Sequence, residues 1–371
     1  MKKRLLALLL VLVMLLTLAA CGSSEAATDT SAASAETTEQ TPADETSRED
    51  FVFTDDCGRE VTIPSEITAI VPSGPLSQVM LYAIAPELIV GLASAYGASA
   101  DGIIPEDHQN LPYFGQLYNT ANLNMEELAA VGPDLIIDIG RPIDSGADDL
   151  QALQDATQIP TIYLSTTLET MPQTFRTLGV LLNREEKAEE LAQFCERVYS
   201  RTTTIMEQVG ENKVRAMYVL GEEGLSVLAK DSYHSELIDL LTENVAVVDT
   251  PSNKGSGNEV TMEQIALWDP DFVLFAADSI YDTVADMPTW EQMAVIQNGD
   301  YVKVPEGPHN WMGTPPAVQR YLGMIWLTAE LYPEYCDYDV KAEILEYYDL
   351  FYSCQLTDEQ YEALTADAFR E

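Results

Sequence analysis

Asn124-Met-Glu-Glu-Leu-Ala-Ala-Val-Gly-Pro-Asp-Leu-Ile-Ile-Asp138 returns, 137 residues further on, as Thr261-Met-Glu-Gln-Ile-Ala-Leu-Trp-Asp-Pro-Asp-Phe-Val-Leu-Phe275. Five of the fifteen positions are identical: Met125 and Met262, Glu126 and Glu263, Ala129 and Ala266, Pro133 and Pro270, Asp134 and Asp271. Each copy predicts one unit, a capped two-turn helix, a Pro-Asp stop and a short buried strand. Asn124 with Glu127, and Thr261 with Gln264, have capping-box spacing. The runs 135–138 and 272–275 lack alternation up to their last residue, as parallel strands covered on both faces do. Two such units in matching halves predict an α/β fold of two Rossmann-like lobes with mostly parallel sheets, a ligand cleft between them.

Outward from the repeats, strand and helix patterns alternate. Phe51 to Pro64 reads as a hairpin around Asp55-Asp56-Cys57-Gly58. Strands are expected over 67–71, 89–92 and 161–164 in the first half, and over 216–220, 245–248 and 301–304 in the second. Helices are expected over 76–84, 235–241 and 317–331, the last begun by Pro315 and Pro316, with a helical tail over 337–366. Between the halves, Met171, Phe175, Leu178 and Leu182 keep helical spacing, and Asn183 with Glu186 restarts a helix to about Val209. A single long helix of that kind predicts a stiff strut between lobes, which permits twisting and small rocking more readily than a wide hinge. The expected divisions are 51–167 for the first lobe, 168–210 for the connecting helix and 211–371 for the second lobe with its tail.

The N-terminal end predicts an address. Lys2, Lys3 and Arg4 precede the apolar run Leu5 to Leu16, and Leu18-Ala19-Ala20-Cys21 closes it. That is too short to span a bilayer and has the layout of a secretory signal over 1–20. Leu-Ala-Ala-Cys resembles the bacterial lipobox, which predicts lipidation of Cys21. The polar tract over 21–50 has little to bury and reads as a disordered tether. Removing the three leader bases from 19 leaves 16 against 61 acids, a net charge of −45. So negative a chain argues against nucleic acid or anionic lipid as a partner. Cys57, Cys195, Cys336 and Cys354 match no metal spacing; free thiols are expected, with a Cys336–Cys354 bridge conceivable.

Ligands of open parallel sheets meet the loops after strand C-termini. That rule selects Ser73, Gly74, Tyr96, Arg141 and Ser165 on the first lobe, and Glu222, Asp278, His309, Asn310 and Trp311 on the second. Arg141 either clamps an anionic group or pairs with a surface acid. Trp311 with His309 either stacks on a planar ligand or completes a core wall. The Gly- and Ser-rich stretch 254–258 is a flap or a linker. Catalytic readings find little: the three histidines, His108, His234 and His309, have no metal spacing, and neither a nucleophile elbow nor a Walker or dinucleotide loop occurs. No enzyme activity, no cofactor and no directly bound metal are expected.

The opening hairpin (Asp55-Asp-Cys-Gly-Arg-Glu-Val-Thr-Ile-Pro64), both glutamate-bearing repeats, the long inter-lobe helix and the lipobox together resemble the substrate-binding lipoproteins of ABC importers for iron–siderophore, haem and cobalamin complexes. The likeness spans the chain after residue 50. It implies a monomeric receptor, lipid-anchored on the outer face of the bacterial cytoplasmic membrane, that hands a small solute to a permease dimer and its ATPase. It implies ferric siderophore first as ligand, then haem or a corrinoid, then an oxyanion such as molybdate, any metal arriving already chelated. It also implies that Glu126 and Glu263 pair with arginines of the permease; the alternative role of either is to complement its helix dipole. Two other classes compete: a lipid-anchored hydrolase, which needs a nucleophile–base pair in the cleft, and an adhesion or sensor module, which needs no cleft.

Overall fold

A computed structural model describes residues 49–116, 125–142 and 146–370. Cys21, the leader and nearly all of the polar tract lie outside the described residues, as does the expected cap Asn124. The described residues all belong to one compact unit that begins at Ser47.

The chain opens with the hairpin β1 (Phe51–Thr54) and β2 (Glu60–Ile63), antiparallel with Phe51 opposite Ile63. Asp55 shapes its turn by accepting the N–H groups of Cys57 and Arg59 at 3.0 and 2.9 Å. β3 (Ile70–Pro72) leads into α1 (Pro75–Ile84), then the short α2 (Glu106–Gln109), α3 (Met125–Val131), β4 (Leu135–Gly140), α4 (Ala147–Thr157) and β5 (Thr161–Ser165). β3, β4 and β5 form a wholly parallel sheet in that order. The expected strand over 89–92 is absent, because its residues change partners midway. Val90 bonds Ile70, whereas Leu92 bonds Pro112 and Phe114. Gly91 between them has no side chain because one would overlap the Phe114 ring.

α5 (Met171–Leu182) and α6 (Glu185–Val209) connect the lobes. At 1.5 Å per residue α6 is about 38 Å long. The capping box expected at Asn183 and Glu186 does not form. Asn183 instead takes the left-handed conformation that closes α5, φ 54°, so it is unavailable as an extended cap.

The second lobe contains β6 (Arg215–Leu220), β7 (Ser226–Val227), α7 (Glu236–Leu241), β8 (Glu243–Asn244), β9 (Asn258–Glu259), α8 (Met262–Trp268), β10 (Phe272–Phe275), α9 (Ala294–Gln297) and β11 (Tyr301–Lys303). Its sheet runs β11-β10-β6-β7-β9, with β8 also paired to β6. β11, β10, β6 and β8 are parallel, and β7 and β9 add an antiparallel edge. The strand expected over 245–248 does not form; β8 ends just before it at Asn244, and the Val247 N–H bonds the Val245 carbonyl and turns the chain off the sheet. α10 (Arg320–Leu331), α11 (Val340–Tyr352) and α12 (Asp358–Leu364) complete the chain. α10 starts three residues later than expected, after Pro315 and Pro316 rather than with them.

The repeats fold as units of one design. In the second, Thr261 and Gln264 exchange both capping bonds. Each helix ends at a left-handed residue, Gly132 in one copy and Asp269 in the other. The Pro-Asp stop also aligns strands: Asp134 accepts the N–H groups of Thr68 and Ala69 at 2.7 and 3.0 Å, which fixes the approach to β3. The two lobes share a core through their helices. Phe175 and Phe194 meet Phe351 edge-on at 6.1 and 5.4 Å, and Tyr347 stacks on Phe351 at 4.3 Å. The tail is thereby packed onto the connecting helices. The four described cysteines are free.

Candidate functional site

The lobes touch where the strand ends converge. Thr166 and Leu168, just past β5, are held by the second lobe: Tyr233 donates to the Thr166 carbonyl at 3.3 Å, and Tyr321 to the Leu168 carbonyl at 2.6 Å. Glu236, at the start of α7, accepts the Leu168 N–H at 2.9 Å with one oxygen and Arg320 at 2.6 Å with the other. Farther along the junction the rings of Tyr96 and His309 lie 6.0 Å apart, and Ser99 donates to the Pro308 carbonyl at 3.3 Å. A cavity of about 380 Å³ lies beside this second contact, between Ser99, Ile103, Glu306 and Leu364.

A larger groove of about 1390 Å³ runs elsewhere, between the end of α1, the 101–111 segment, the start of α6 and the end of α11. Tyr82, His108, Lys187 and Phe351 are among its walls. It lies away from the strand C-terminal ends, and strand ends are where open α/β sheets present their ligand-binding loops. The junction between lobes is therefore the better candidate despite its smaller volume.

The expected contact residues divide by burial. Arg141 is exposed at the end of β4, and among the described residues no carboxylate pairs with it. Its charge reaches a tyrosine of each lobe. Burial raises the Tyr163 hydroxyl, and Arg141 is among the charges acting back on it. Burial takes Tyr233 up to about 12, opposed first by Arg320 and also by Arg141. Gly74, Tyr96, Ser165 and His309 are half-buried, and Glu222 and Asp278 are exposed. Ser165 is bound to the hairpin turn, its N–H and hydroxyl donating to Asp56 at 2.6 and 2.7 Å. Burial takes His309 down to about 4, so its ring is neutral at neutral pH. Burial, then the charge of Asp278, raises the Glu306 carboxyl.

Three side chains are committed inward instead. Ser73 is buried with its hydroxyl on Asp138 and on Ser77. Asn310 donates to Tyr218 at 2.8 Å and accepts the Met312 N–H at 2.9 Å, which holds its loop shut. Trp311 is wholly buried against Trp326, with its N–H on Tyr348, so it completes a core wall. Sequence reasoning missed Tyr163, Tyr233, Glu236 and Arg320. The one available signal was Arg320, the only charge in the first ten residues of an otherwise apolar helix, which requires a buried partner.

Glu126 and Glu263 are both exposed at the second position of their helices. The backbone N–H of Glu263 itself, then the Thr261 hydroxyl, hold its carboxyl below the usual range. It is ionised at neutral pH.

The periplasmic binding protein family model matches residues 101–307. An ABC transporter solute-binding protein from Sulfurospirillum deleyianum superimposes with a TM-score of 0.78 at 26% identity, covering 85% of this chain and 99% of its own. A periplasmic solute-binding protein from Veillonella parvula gives 0.71 at 26% identity, over 86% and 98%. The molybdate-binding protein MolA of Haemophilus influenzae, bound to molybdate, gives 0.68 at 18% identity, over 83% and 99%, a likeness of fold. No curated relative matches. The chain belongs to the periplasmic binding protein family. It is a solute-binding protein of an ABC transporter, working outside the cytoplasm, and not an enzyme.

Proposed function

We propose that the protein captures an anionic metal chelate of the ferric siderophore type between its lobes and delivers it to its permease. The observation that carries the ligand class is Arg141. In a chain with 61 acids and 19 bases, this guanidinium stands at a strand end beside the lobe junction with no described carboxylate on it. A planar cation of that kind matches carboxylate, catecholate or oxyanion oxygens in two-point contacts. Tyr96 and His309, half-buried on opposite lobes, add aromatic surface for a chelate larger than a bare oxyanion. A lipid on Cys21 keeps the receptor at the outer face of the membrane, and Glu126 and Glu263 dock it there as a monomer.

Calorimetric titration of the purified protein with ferric tris-catecholate, ferric citrate, haem, cobalamin and molybdate tests the reading. A ferric chelate is expected to bind one-to-one, and Arg141→Ala to weaken it about tenfold or more. Binding of cobalamin alone, or an Arg141→Ala variant of unchanged affinity, would overturn the ligand class. Molybdate binding alone would select the oxyanion reading that Arg141 also fits.

A further inference from the structure

The matched helices α3 and α8 are equal in charge and unequal in shape. One turn after Glu263 stands Leu267, 83% exposed. The corresponding residue one turn after Glu126 is Ala130, also exposed. Residues four apart share a helix face with Cβ atoms about 5–6 Å apart, and a helical side chain leans back over the preceding turn. Leu267 therefore extends toward Glu263, and the second lobe presents an anion with an apolar knob beside it. On the first lobe the same position carries only a methyl group, its exposed Met125 lying one residue before Glu126 and off that face.

We infer that Leu267 is an apolar anchor for the permease subunit facing the second lobe, which makes the two docking faces distinguishable to the partner. The inference rests on the docking role proposed above for Glu126 and Glu263. The partner it fits is a protein surface with a base set next to an apolar recess. The ionised Glu263 supplies the complementary charge, and a phospholipid surface of negative charge is repelled by the same carboxylate. A leucine beside a charge contact adds affinity through the apolar area it buries when the partner excludes water from it. The face carrying it is then the one whose loss most weakens docking, and the receptor meets a permease in one preferred orientation.

Full-length variants expressed in receptor-deleted source cells, followed by in-cell crosslinking and quantitation of the ABC permease with its ATPase, test this. Leu267→Ser is expected to lower the crosslinked permease about tenfold. Val247→Ser, which removes an apolar side chain 61% exposed elsewhere on the second lobe, is expected to leave it unchanged. Glu126→Arg with Glu263→Arg is expected to abolish it. Full crosslinking in Leu267→Ser, with loss in the double arginine variant, overturns the anchor and leaves the docking pair standing. Full crosslinking in both overturns the docking pair as well. An equal loss in Val247→Ser also overturns the anchor.

Discussion

Glu236 on the second lobe accepts the backbone N–H of Leu168, at the residue where the chain leaves the first lobe, at 2.9 Å. The other carboxylate oxygen holds Arg320, whose guanidinium is fully buried and keeps one nitrogen without a partner. One carboxylate thus fixes the crossover and neutralises a buried cation. Glu236→Gln preserves an oxygen for Leu168 and removes the charge. Breaking one side of a buried pair costs about 3–5 kcal/mol; because Glu236 is itself 30% exposed, about 3 is expected. Denaturant unfolding measures it, and a loss below about 1 kcal/mol would show that Arg320 is solvated by other means.

How far the sequence speaks depends on whether the signal is local. The repeats, the hairpin and the connecting helices are set by periodicity within a few residues and fold where that pattern places them, although of the expected caps only Thr261 with Gln264 forms among the described residues. The segments at 89–92 and 245–248 have strand-like residues but leave the sheet, the first for the distant partners Pro112 and Phe114 and the second through a tight turn from Val245 to Val247. Burial of Trp311 depends on Trp326 and Tyr348, and no feature of Gly307-Pro-His-Asn-Trp311 reveals those neighbours. The crossover contacts join residues 166–168 to 233–236 and 320–321, so topology alone brings them together. Strand-end reasoning selects an edge of the sheet and does not separate, within that edge, side chains facing solvent from side chains facing inward.

α5 and α6 pack closely at Gly179, where an added Cβ would overlap the Ala188 methyl and stand 3.2 Å from the Glu185 Cα. Gly179→Ala removes a flexible residue from a helix, which by itself is favourable by about 0.5–1 kcal/mol. Overpacking costs about 1–3 kcal/mol and is expected to prevail. Ala188→Gly in the same chain should restore part of the loss, since it removes the atom that clashes. A double variant no more stable than Gly179→Ala alone would mean that the Arg184–Glu185 backbone, not Ala188, sets the helix spacing.

The docking and capture roles proposed above fall on different residues and should separate experimentally. Glu126 and Glu263 are exposed on α3 and α8 and make no described contact at the lobe junction. Glu126→Arg with Glu263→Arg is expected to keep ligand affinity within about twofold of the parent while import stops, because charge reversal juxtaposes like charges at both faces. Uptake in cells reads the second effect and titration calorimetry the first. Normal uptake in the double variant would reduce both glutamates to helix-dipole partners.

Acid should loosen the lobe junction through His309. Its folded pKa is about 4, lowered by burial, against about 6.5 in the unfolded chain. The unfolded state therefore binds more protons between those values, and stability falls as pH drops through that window. The slope is at most about 1.4 kcal/mol per pH unit, so roughly 2 kcal/mol is lost between pH 6.5 and 5. Two neighbouring groups bear on the sign. Tyr96, whose hydroxyl is raised by burial, stays neutral throughout. Glu306, raised by burial and by Asp278, acts oppositely, gaining a proton in the folded state first. His309→Gln isolates the histidine because it leaves Glu306 in place. Unfolding free energies at pH 6.5 and 5 should differ by up to roughly 2 kcal/mol less in that variant than in the parent. Identical differences in the two proteins would place the acid sensitivity in other groups, with His108, also held near 4 by burial, the next to replace.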